Sequence, residues 1–172
     1  MLEDFHAQPA RARVIVALDC DAATALCLAV QLRGHAKWLK VGMTLYYAEG
    51  PKIVQTLKQL GFNVFLDLKF HDIPHQVEGA AASAVLSGAD MLTMHAVGGS
   101  AMMAAGHRGA EAAAFERKVP VPATLAITVL TSMDAESLAA TGVSRALPEQ
   151  VSSLAAQARE AGLSGIVCSP QE

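Results

Sequence analysis

Short apolar runs alternate with longer, helix-like segments along the whole chain. Residues 14–18, 38–42, 64–70, 91–94, 123–130 and 165–169 read as strands, being apolar and bounded by Gly, Pro or charged residues. Between them the spacing predicts helices. Asp21 caps an Ala/Leu-rich segment that runs to about residue 33. Gly50-Pro51 opens a second helix and Gly61 closes it, with Pro in the first turn and Gly past the end. Residues 77–86 form a third, stopped by Gly88; residues 101–116 an Ala-rich fourth; and residues 148–161 a fifth, stopped by Gly162.

Alternating strand and helix imply a parallel sheet covered by helices. Each predicted strand finishes on a polar or charged residue: Asp19, Lys40, Lys69, His95, Thr131 and Ser169. In a (β/α)8 barrel, polar residues at the carboxyl ends of different strands converge on one site. A doubly wound sheet needs them only at its switch point, and no Gly-x-Gly-x-x-Gly follows the first strand here. The expected fold is therefore α/β, a (β/α)8 TIM barrel of which this sequence carries about six βα units. Residues 1–13 read as an N-terminal extension and 14–172 as the barrel domain. Because such a barrel takes about 200 residues or more, two further strands and helices are expected after Glu172.

One strand differs from the others. In residues 64–70 strict alternation puts Phe65, Asp67 and Lys69 on one face and Val64, Leu66, Leu68 and Phe70 on the other. Two charges on one face of a covered strand must be paired or used, since desolvating each ion costs roughly several kcal/mol. Pro74 ends the run and leaves Asp72 on the loop beyond. A carboxylate, an ammonium and a second carboxylate thus meet at the mouth of a strand.

Composition narrows the function classes. A net charge of −3 over 172 residues, with Lys and Arg scattered, offers no basic footprint for nucleic acid. Cys20, Cys27 and Cys168 show no Cys-x-x-Cys and no metal-ligand spacing, so they read as reduced thiols of a cytoplasmic protein. The first 13 residues contain no apolar stretch of a secretory signal. No apolar run reaches the roughly 18 residues of a membrane span. His71 and His75 lie across an Ile-Pro turn rather than on one helical face, so no metal site is expected there. His95 reads as a packed histidine, and the Met residues as core filler.

The placed motifs carry a resemblance. Ala17-Leu18-Asp19, Leu39-Lys40-Val41-Gly42, Phe65-Leu66-Asp67-Leu68-Lys69-Phe70-His71-Asp72-Ile73-Pro74, His95-Ala96-x-Gly98-Gly99, Val129-Leu130-Thr131-Ser132 and Gly165-Ile166-Val167-Cys168-Ser169 occur in that order. In this the chain resembles the orotidine 5′-phosphate decarboxylases of the compact bacterial type, from Val14 to Glu172. The resemblance implies decarboxylation of orotidine 5′-monophosphate to uridine 5′-monophosphate without metal or cofactor, in the pyrimidine pathway. It assigns Lys69 to protonation of C6 and Asp67 to the neighbourhood of the substrate carboxylate. Lys40 would orient Asp67 and reach the ribose, and Asp19 would bind a ribose hydroxyl. Asp72 and Ile73 would enter the site of a neighbouring subunit, implying a homodimer, and Thr131 would meet the pyrimidine amide.

Two departures stand beside it. Gln76 occupies the position of a ribose-binding Thr. The family's phosphate-binding segment, a Gly-rich turn after strand seven and an Arg after strand eight, is absent from this sequence. Two other readings remain open: an Mg²⁺-dependent sugar-phosphate decarboxylase or synthase of the same superfamily, and an inactive barrel fragment acting as a binding module.

Overall fold

The computed structural model of the chain describes residues 7–170. A helical turn at Ala10–Arg13 precedes six strands: β1 (Ile15–Ala17), β2 (Trp38–Gly42), β3 (Asn63–Phe70), β4 (Met91–His95), β5 (Ala123–Ile127) and β6 (Gly165–Val167). Between them run α1 (Ala22–Leu32), α2 (Met43–Glu49), α3 (Pro51–Gln59), α4 (Pro74–Ser87), α5 (Ser100–Arg117), α6 (Ala135–Ala140) and α7 (Leu147–Glu160), with a 3-10 turn at Ala96–Gly98. The strands form one parallel sheet in which each pairs with the next in sequence, in the order β1-β2-β3-β4-β5-β6. That order never reverses, so there is no switch point. It is the strand order of a (β/α) barrel, of which six units are present.

The expected elements recur with shifted ends. β5 stops at Ile127 rather than at residue 130; the Thr128 amide and hydroxyl both donate to the Val167 carbonyl, and the chain then turns. β1 and β6 are three residues long. Helix α4 begins at Pro74, three residues before the expected start, because a first-turn Pro has no N–H to satisfy. Two helices are additions. α2 leaves β2 directly, and Gly50, with φ +66, separates it from α3. α6 is capped by the Asp134 side chain, which accepts the Ser137 N–H at 2.8 Å.

The two faces of the sheet are packed differently. The outer face meets the helices through Leu39, Val41, Val64, Leu66 and Leu92, packed with Leu57, Ala81, Ala84 and Ala110. On the inner face Trp38, Phe65, Met91 and Ala123 form an apolar layer. Two residues further along β2, β3 and β4 lie Lys40, Asp67 and Thr93, so the next layer towards the carboxyl ends is polar. At the opposite end of the strands Asp90 binds the Lys58 ammonium at 2.6 Å and accepts the Val64 N–H at 2.7 Å, tying α3 to the start of β3.

Helices α4 and α5 pack side by side over this sheet, and their approach depends on Gly109. A Cβ there would overlap the Glu78 carbonyl oxygen, a backbone atom that cannot swing away. Gly109→Ala should therefore destabilise the fold by about 1–3 kcal/mol through overpacking, read as a lower urea midpoint with an unchanged slope.

Candidate active site

The strands β3 and β4 lose their common register just where the charges lie. Leu66 pairs with Leu92 and Phe70 with Met94, so Asp67, Leu68 and Lys69 together face the single residue Thr93. Such a bulge redirects side chains and bends the strand. Lys69 adopts φ +54, one of two non-glycine residues with positive φ among those described. That left-handed conformation costs a lysine about 1–2 kcal/mol, so the surroundings must hold it. They do so through Thr93, whose side chain is fully buried. Its hydroxyl accepts the Lys69 N–H at 3.0 Å and donates to Asp67 Oδ1 at 2.9 Å.

The charges then fall into a line. Lys69 Nζ lies 2.9 Å from Asp67 Oδ2, and Lys40 Nζ lies 3.4 Å from the same oxygen and 3.4 Å from Asp19 Oδ1. The order is Asp19, Lys40, Asp67, Lys69, alternating in sign. Side-chain exposure falls from 71% at Asp19 to 22% at Lys40 and 10% at Asp67. Gly42 lies opposite Asp67 in the register and beside this row: a Cβ there would stand at ordinary contact distance from Asp19 Oδ1 and Lys40 Nζ. Burial is the largest influence on the Asp67 carboxyl and pushes its pKa up. The hydrogen bonds from Lys69 and Thr93, with the charges of Lys69 and Lys40, outweigh it, and the net shift is downward.

The other expected residues lie outside this row. Asp72 is exposed on the loop after β3, where its carboxylate accepts the Ile73 N–H at 2.6 Å; among the described residues it makes no ion pair. Asp72, His71 and Gln76 share with Lys69, Met43 and Tyr47 an open groove of about 360 Å³. Ile73, next to Asp72 in the chain, is 63% exposed. Thr131 sits exposed in the turn after β5. His95, half-buried at the end of β4, has its ring centroid 5.4 Å from that of His71. Burial first, then the charges of His71 and Lys69, lower its pKa and favour the neutral imidazole, against the opposing charge of Asp67. Thr93 carries no signal of its own in the sequence, because a Thr inside Met-Leu-Thr-Met reads as strand filling. Among the described residues no cluster of three or more His, Cys, Asp or Glu converges as a metal-binding group, and no helix is long and apolar enough to cross a membrane.

A family model described as orotidine 5′-phosphate decarboxylase / HUMPS family matches residues 12–172. The chain belongs to this family. An orotidine 5′-phosphate decarboxylase of Maridesulfovibrio salexigens is 47% identical over 161 residues, spanning 92% of this chain and 68% of that protein. One from Moorella thermoacetica is 46% identical over 175 residues, spanning 99% of this chain and 69% of the relative. Among solved structures, an orotidine 5′-phosphate decarboxylase from Lactobacillus acidophilus superposes with a TM-score of 0.84 at 36% identity, covering 92% of this chain and 72% of that one. An uncharacterized conserved protein from Geobacillus kaustophilus gives 0.85 at 43% identity, covering 90% and 72%. Membership in the orotidine 5′-phosphate decarboxylase / HUMPS family agrees with the barrel strand order and makes the shared fold that of a TIM barrel.

The depressed Asp67 pKa has a consequence for stability. A carboxyl whose pKa is lower in the folded than in the unfolded chain contributes stability that is complete above about pH 4 and is lost as pH falls through the folded value. The stability advantage of the wild type over Asp67→Asn should thus be full at pH 7 and should shrink below pH 4. Urea unfolding of both proteins across that range measures it.

Proposed function

We propose that the chain decarboxylates orotidine 5′-monophosphate to uridine 5′-monophosphate, in pyrimidine biosynthesis in the cytoplasm, without metal or organic cofactor. The observation that carries this reading is the Lys69 ammonium held 2.9 Å from Asp67 at the mouth of the sheet. As the C6–carboxylate bond breaks, its electron pair stays on C6 and CO₂ leaves. A proton from Lys69 Nζ then forms the new C6–H bond, and solvent returns a proton to the amine. An ammonium already fixed beside the reacting carbon stabilises developing negative charge without reorganisation and delivers the proton as a general acid. Carboxylates alternate with the lysines along the row that leads to the reacting carbon.

The remaining roles are those that the family resemblance implies. Asp67 faces the departing carboxylate. Lys40 fixes Asp67 and reaches the ribose, Asp19 takes a ribose hydroxyl, and Gln76 offers its amide to the ribose. Thr131 meets the pyrimidine amide. Asp72 and Ile73 complete the site of a second copy. Exposed Met43 and Tyr47 in the groove, with exposed Ile73, support that homodimer. The magnesium-dependent reading is weakened by Lys40, whose ammonium already lies between the carboxylates of Asp19 and Asp67.

Loss of orotidine 5′-monophosphate absorbance in the presence of a chelator tests the reaction. Turnover should persist without divalent metal and fall roughly 10²–10⁴-fold in Lys69→Ala. No turnover from folded wild-type protein would sink the enzyme reading, and restoration by magnesium alone would favour the sugar-phosphate relatives. Ile73→Asp should shift sedimentation from dimer towards monomer, and an unchanged dimer would remove Ile73 from the interface.

A further inference from the structure

We infer that Thr93 is a positioning residue for this reaction, its hydroxyl setting both the rotation of the Asp67 carboxylate and the backbone conformation that aims Lys69. The inference rests on the decarboxylase reading above, but its geometric basis is independent of it. The Lys69 amide can only donate, so at 3.0 Å the Thr93 oxygen must accept. That leaves the single hydroxyl proton for the other neighbour, Asp67 Oδ1 at 2.9 Å. Oδ1 is thereby engaged by Thr93, and Oδ2 is the oxygen that faces both ammonium groups. One fully buried hydroxyl thus fixes which carboxylate oxygen meets the lysines.

The same contact explains why the bulge is stable. With three residues of β3 opposite one of β4, the Lys69 amide is out of step with the backbone ladder, and the Thr93 side chain satisfies it. Without that acceptor a lysine in a left-handed conformation has less reason to stay there. The charged and titratable groups facing Asp67 are Lys69 on its own strand, Lys40 from β2 and His95 from β4, with His71 beyond His95. None of them replaces the Thr93 hydroxyl on Oδ1.

Two variants separate this role from simple packing. Thr93→Val keeps the β-branched shape and removes the hydroxyl; Thr93→Ser keeps the hydroxyl and removes the methyl group. In Thr93→Val, kcat should fall about tenfold to a hundredfold, the scale of a lost hydrogen bond to a charged group. KM should change by less than about threefold, because the defect lies in the chemical step. Thr93→Ser should recover most of kcat. The acid limb of the pH–kcat profile should move to higher pH in Thr93→Val only, since Asp67 loses a donor that favours its charged form. By NMR, the Asp67 carboxyl should titrate at higher pH and the Lys69 amide should exchange faster in that variant.

Wild-type kcat and an unmoved profile in Thr93→Val would overturn the inference, as would equal damage in Thr93→Ser. If the wild type fails to turn over orotidine 5′-monophosphate, the decarboxylase reading falls, and the Asp67 titration and Lys69 exchange still decide the role of Thr93. If Thr93→Val does not fold, Thr93→Cys, whose thiol is a weaker donor, carries the same comparison, with an intermediate shift expected.

Discussion

A carboxylate whose side chain is only 10% exposed must be compensated, and Asp67 is compensated from three sides. Lys69 and Lys40 approach one oxygen and the Thr93 hydroxyl the other. Breaking a buried pair by deleting one partner typically costs about 3–5 kcal/mol, so the site constrains the fold as much as the fold constrains the site. β3 must widen to place Lys69 beside Asp67, and β4 must present Thr93 opposite the widening. The outer face of both strands must be held firmly enough to keep an unfavourable lysine backbone in place. The close approach of α4 and α5, and the anchorage of β3 and α3 by Asp90, supply that rigidity.

The charge row is graded. Asp19, at its outer end, is 71% exposed and loosely held at 3.4 Å, whereas the Lys69–Asp67 contact is short and sheltered. Surface pairs of the first kind contribute about 0–1 kcal/mol, so the inner pair dominates the electrostatics. The exposed end is the weaker tie of the row. Asp72, beyond the end of β3, belongs to the open groove rather than to the row.

The order of elements was legible in the sequence because each βα unit is punctuated by Gly, Pro or Asp. Ends were less so. Val129 is buried although it lies past the end of β5, and local composition does not distinguish a buried turn from a continuing strand. Helix α2 begins at Met43 behind Gly42, which offers no side-chain cap, and it carries two Tyr residues, so it gives almost no local helix signal. In the site, the common face of Asp67 and Lys69 could be read from alternation. The bulge could not, because it is a property of the register between β3 and β4, residues about 25 positions apart. Thr93 was hidden for the same reason: its importance lies in what faces it across the sheet.

The strand order has a consequence for how the molecule is made. Every strand pairs with its immediate predecessor in the chain, so the sheet can grow at one edge as synthesis proceeds. Each new strand finds its partner already waiting, and loop closure never spans more than one intervening helical segment, or two where the connection carries a pair of helices. In such an order of pairing, the hydroxyl that holds both Asp67 and Lys69 is supplied only when β4 joins the sheet.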